Sequence, residues 1–118
     1  MKNKYSSHND LVKGVLEVCS KFGLETRTEF PLPFGKGSVD VTGNKNNKII
    51  FHAEVKSFPS SVNKKKVKKQ LNLYKKYFGK KPDYILISPD AKNCVSIQVL
   101  GSLERYSLED YLSYRTNI

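Results

Sequence analysis

Two short apolar-rich runs, Val39-Asp40-Val41 and Lys48-Ile49-Ile50-Phe51-His52-Ala53-Glu54-Val55-Lys56, flank the turn formers Gly43-Asn44-Lys45-Asn46-Asn47. Runs of this kind on either side of a Gly/Asn-rich stretch predict a β-hairpin. Alternate residues of a strand share a face, so Phe51, Ala53 and Val55 point one way and His52, Glu54 and Lys56 the other. Asp40 lies between Val39 and Val41, opposite in sense to two core candidates. Charged groups on the inner strands of a small sheet are costly unless they are paired or bind a metal. Two carboxylates and an ammonium in one place are the groups that metal-assisted phosphodiester hydrolysis uses.

A symmetric hairpin centred near Lys45 and Asn46 sets Asp40 opposite about Phe51, roughly 10 Å along the strand from Glu54. Two carboxylates that each bond an ion at ~2.1 Å can span most of that offset, helped by a bulge or a shifted register. Asp40 and Glu54 are hard oxygen donors of the kind Mg²⁺ prefers, and the carbonyl of Val55 offers a third oxygen. Each residue also has an ordinary alternative. For Asp40 it is an edge-strand carboxylate, for Glu54 half of an ion pair with a lysine, and for Lys56 a solvated cation.

A chain of 118 residues is sized for one domain, spanning 1–118, with a single core. Its net charge of +10 favours polyanionic partners, nucleic acid first and an acidic membrane surface second. No apolar run approaches the ~20 residues of a spanning helix. Met1-Lys2-Asn3-Lys4-Tyr5-Ser6-Ser7 is followed by no apolar stretch, so no secretion signal is expected. Cys19 and Cys94 are isolated and read as buried thiols in a reducing compartment, which places the chain in the cytoplasm. A zinc site would need more ligands than the sequence groups together.

In chain order, Leu11, Val12, Val15, Leu16, Val18, Cys19 and Phe22 recur at helical spacing and predict a helix from about Ser7 to Lys21, with Gly23 as its stop. Leu24 to Phe30 alternates as a strand, and Pro31 to Gly37 is a loop. After the hairpin, Ser60, Ser61 or Asn63 caps a second helix whose apolar stripe is Val67, Leu71, Tyr74 and Phe78. Nine lysines crowd its other side and its exit: Lys64, Lys65, Lys66, Lys68, Lys69, Lys75, Lys76, Lys80 and Lys81. Asp83 to Ser88 and Val95 to Leu100 read as strands. Ser107-Leu108-Glu109-Asp110 resembles a capping box that opens a C-terminal helix. The order αβββαββα predicts an α/β fold, a mixed sheet flanked by helices.

Asp40, then Glu54-Val55-Lys56 fourteen residues later, then Gln70-Leu71-Asn72-Leu73-Tyr74 on the following basic helix, resembles the PD-(D/E)XK nuclease superfamily. The residue before the Asp is Val39 rather than Pro. Gln70-x-x-x-Tyr74 is similar to the motif of RecB-type members, and the resemblance covers roughly residues 5 to 90. It implies a restriction-endonuclease-like core and a Mg²⁺-dependent deoxyribonuclease in which Mn²⁺ substitutes. Asp40 and Glu54 would be ligands, Lys56 would orient water or stabilise the transition state, and Gln70 would support the site.

From the first helix the resemblance implies His8 as a further ligand. Glu17 is the alternative, with Glu25 and Glu29 ranked below it. His52 shares the face of Glu54, although cross-strand packing explains it as well. Tyr74 belongs to the core stripe and, through the resemblance, to the nucleic-acid contacts. Lys65, Lys66, Lys69 and Lys36 are the phosphate-contact candidates.

The DNA substrate stays open between single strands or ends, as for RecB-type nucleases, and four-way junctions. Archaeal Holliday-junction resolvases, which the compact size and basicity also resemble, cut junctions as homodimers. A non-catalytic nucleic-acid-binding module on the same fold is the rival from another class. A membrane-surface role fits poorly, because the basic helix spends its apolar stripe on the core.

Overall fold

The computed structural model describes residues 7–116. Its elements in order are α1 (His8–Lys21), β1 (Glu25–Pro31), β2 (Ser38–Lys45), β3 (Lys48–Val55), α2 (Lys65–Phe78), β4 (Asp83–Pro89), β5 (Val95–Val99), β6 (Arg105–Ser107) and α3 (Leu108–Thr116). The six strands form one mixed sheet in sequence order; every neighbouring pair is antiparallel except β3 and β4, which α2 joins in parallel. The expected order is therefore extended by one strand, β6. Most of the N-terminal stretch expected to lack a secretion signal, residues 1–6, lies outside the described residues. Among the described residues no helix is long and apolar enough to cross a membrane.

Strand alternation sorts the core into two layers. Phe51, Ala53 and Val55 of β3 and Ile85 and Ile87 of β4 cluster with Leu11, Val15 and Cys19 of α1 and with Leu108, Tyr111 and Leu112 of α3. Tyr84 and Leu86, the intervening residues of β4, cluster instead with Val67, Leu71 and Tyr74 of α2. The sheet thus lies between α1 and α3 on one face and α2 on the other. Burying each of the Val, Leu, Ile and Phe side chains among these contributes about 1.5–3 kcal/mol. That packing, rather than propensity, is what holds a helix as lysine-rich as α2.

The hairpin turns at Asn46 and Asn47, whose φ of 55° and 62° lie in the left-handed region that Asn tolerates and that a two-residue turn of this kind requires. β2 therefore runs on through Gly43, Asn44 and Lys45, which the sequence pattern assigns to the turn. Gly43 pairs with Phe51 and Asn44 with Ile49, leaving Ile50 as the extra residue of a bulge. A side chain at position 43 would stand 2.4 Å from Phe51 Cε2, so only glycine fits against that ring.

Two helix starts differ in quality. Ser7 Oγ accepts from the Asp10 N–H at 3.1 Å and fixes the first turn of α1. α2 begins after Lys64, which makes no side-chain capping bond, so none of Ser60, Ser61 or Asn63 caps it. Ser61 Oγ instead accepts from the Asn63 N–H in the preceding loop. Ser107 Oγ accepts from the Asp110 N–H, as the capping-box pattern of α3 predicts. Both cysteines are free; Cys19 is buried, whereas Cys94 is exposed, because it lies in the turn before β5 that is folded around Asp90.

Candidate active site

β2 and β3 stop pairing at Val41–Ala53, and one step further along that register Asp40 faces Glu54. The offset of three residues expected from a symmetric hairpin is removed by two things: the turn sits at Asn46–Asn47, and the bulge adds a residue to β3. Lys56 N–H donates to Ile87 O on β4, so the preceding Val55 N–H points toward β2. There it meets the Asp40 carboxylate, donating to Oδ2 at 2.8 Å. The side chain of Asp40 takes the bond that a β2 carbonyl would accept if the ladder continued. In a strand the carbonyl of a residue points to the same side as its N–H, so Val55 C=O is also directed toward Asp40.

The break in pairing has a visible backbone cause. Val39 belongs to the α2-side cluster and Val41 to the α1-side cluster, although residues two apart in a regular strand share a face. Glu29, across from Asp40 in the β1–β2 register, has φ of 51°. The strand pair switches face at this point, and Asp40 stands at the switch. Alternation alone places Val39 and Val41 together; the structure separates them.

Glu54 is held from two directions. The Tyr74 hydroxyl donates to its Oε2 at 2.6 Å, and the Ser38 carbonyl oxygen is 3.2 Å from the same hydroxyl. Lys56 Nζ lies 3.4 Å from Glu54 Oε1. Gln70, one helical turn before Tyr74, shares that side of α2 with it. Burial above all, with Asp40 adding to it, raises the Glu54 pKa, while the Tyr74 hydroxyl and Lys56 pull it down. Burial and then the Glu54 carboxylate hold the Tyr74 phenol far above its ordinary range. Tyr74 has none of its surface exposed, so its work is to position Glu54; direct contact with nucleic acid is closed to it.

His8 Nε2 lies 3.5 Å from Asp40 Oδ2, an ion pair whenever His8 is protonated. His8, Asn9, Val12, Lys13, Thr28, Glu29 and Asp40 line one groove, so Glu29 comes closer to the site than its sequence rank suggests. Glu17 and Glu25 are exposed and do not line it. His52 is wholly buried, stacked on Phe78 at 4.3 Å, with Thr42 Oγ1 2.9 Å from its Nδ1. It packs rather than faces substrate. Lys66 and Lys69 line a shallow surface on α2 with Gln70, whereas Lys65 and Lys36 are exposed outside the grooves near the site.

Comparison of the chain with family models, with curated proteins and with solved structures found no match.

Among the described residues no group of three or more His, Cys, Asp or Glu side chains forms a ready metal cage. Mg²⁺ does not require one, since it is held by one or two carboxylates and keeps several waters. A carboxylate pair across the end of the strand ladder, in which Asp40 raises the proton affinity of Glu54, with a backbone carbonyl on the same side of β3, suits a hard divalent cation. Asp40, Glu54 and the Val55 carbonyl are the atoms that would hold it.

Proposed function

We propose that this protein is a Mg²⁺-dependent deoxyribonuclease with a PD-(D/E)XK-type site. The observation that supports the reading is the fork itself, where Asp40 stands across from Glu54 beyond the last β2–β3 pair and Lys56 lies against Glu54. A divalent cation there would acidify a water and offset charge on the phosphate. Asp40 is kept in place by the Val55 N–H, and Glu54 by Tyr74, so neither ligand must be ordered on binding. The Lys56 ammonium is partly solvent-accessible and can reach a phosphate oxygen or the attacking water, stabilising charge that builds as the phosphorus is attacked. The basic face of α2 supplies backbone contacts that position DNA without reading its sequence.

The test is cleavage of labelled single-stranded, duplex, flap and four-way-junction DNA with Mg²⁺ or Mn²⁺. Asp40→Ala and Glu54→Ala are expected to abolish cutting, and Lys56→Ala to slow it by about 10²-fold or more. Equal cutting by wild type and both carboxylate variants would overturn the assignment. Salt-sensitive binding with no cutting by any of them would leave a nucleic-acid-binding module.

A further inference from the structure

Past Val55 the chain turns over the sheet through residues 57–64 before α2 begins, and the turn is pinned rather than loose. Gln98 Oε1 accepts from the Val62 N–H at 2.9 Å, its amide donates to the Ser102 carbonyl, and the Val62 side chain is buried. Between this turn and α2 lies a groove lined by Lys56, Phe58, Ser60, Lys64, Lys66 and Val67.

All the charged groups lining this groove are ammonium groups, whereas the groove on the Asp40 side mixes Lys13 and His8 with two carboxylates. Phe58 is 49% exposed despite its fixed loop, and Lys64 Nζ sits 5.5 Å from its ring. Ser60 Oγ is shut off from solvent and has no hydrogen-bond partner among the described residues. α2 begins here with no side-chain cap and no acidic residue in its first turn, so lysines crowd the positive end of the helix. That arrangement is unfavourable alone and is offset by an anion.

We propose that this groove seats an unpaired nucleotide adjoining the phosphate that is cut. Its base stacks on Phe58, and its phosphate lies between Lys64 and Lys66. The proposal rests on the nuclease reading above and names single-stranded nucleic acid as the substrate class. Lysines alone would serve a duplex equally well, because they meet only the backbone. An exposed aromatic ring among them is useful only to bases with a free face, which a duplex keeps inside its stack.

Fluorescence anisotropy tests this with a labelled mixed-sequence single strand and with the duplex it forms with its complement. EDTA is present so that nothing is cut. Wild type is expected to prefer the single strand. Phe58→Ala should lose about tenfold or more of the single-strand affinity, with duplex binding unchanged and Phe58→Tyr close to wild type. Phe58→Ala binding both DNAs as wild type does, or losing both equally, would overturn the proposal. Asp40→Asn keeps the two readings apart. It leaves the groove intact and should still prefer the single strand, while cutting assays with Mg²⁺ report separately on the nuclease assignment.

Discussion

Glu54 stands under opposing demands: burial and Asp40 raise its proton affinity, while Tyr74 and Lys56 lower it without cancelling the rise. A carboxyl whose pKa is raised by folding contributes stability below its unfolded value and loses that contribution as pH rises through the folded one. Ionised Glu54 therefore costs the fold at neutral pH. Glu54→Gln keeps an acceptor for Tyr74 and removes the charge. In metal-free buffer it should melt a few degrees higher, equivalent to about 1 kcal/mol, while losing cleavage; a lower melting temperature would contradict this. His52 presents the converse case, its pKa pushed down by burial from 6.5 to about 4. Its neutral form contributes stability that is present above pH 6.5 and lost as pH falls toward 4, on the order of 3 kcal/mol in all. Urea unfolding at neutral and mildly acidic pH should show a larger acid loss in wild type than in His52→Phe. Equal losses would mean that His52 is not the group responsible. At this scale the grouping of Asp40, Glu54, Lys56 and Tyr74 was legible, because strand alternation and helical spacing bring those positions together. Glu29 was ranked too low, and Ser38 and Phe58 were not singled out, since what brings them near the site is a backbone kink and a turn that no spacing rule describes.

The hairpin's existence is written in its alternation, but its register is not. A one-residue bulge and the true position of the turn decide whether Asp40 faces Glu54 or misses it, and both depend on Gly43 fitting under Phe51. Gly43→Ala should destabilise the protein by roughly 1–3 kcal/mol in urea unfolding, since Phe51 is buried and cannot move aside freely. Wild-type stability in that variant would show that the close approach is unimportant. β6 escaped the sequence reading because its three residues, Arg105, Tyr106 and Ser107, are too few to show a period. The start of α2 was misread for a different reason. Three good capping residues precede it, yet the loop spends Ser61 on its own turn and buries the Ser60 hydroxyl without a partner among the described residues.

For the whole molecule, α1 and α3 cover one face of the sheet and α2 the other, while the fork between β2 and β3 leaves Asp40 and Glu54 between those layers. The +10 charge is concentrated on α2 and the approach to it, so DNA binding should weaken steeply with salt. Lys66→Ala and Lys69→Ala should each lower the salt slope by about one, read from anisotropy titrations across salt concentrations. An unchanged slope in both would place the DNA elsewhere. The account as a whole depends on Asp40 and Glu54 gripping one cation together, and calorimetric titration of Mn²⁺ into the metal-free protein measures that directly. Binding to wild type and to Lys56→Ala, with loss of binding in both Asp40→Asn and Glu54→Gln, is the predicted result. Identical heats from wild type and the two carboxylate variants would contradict it.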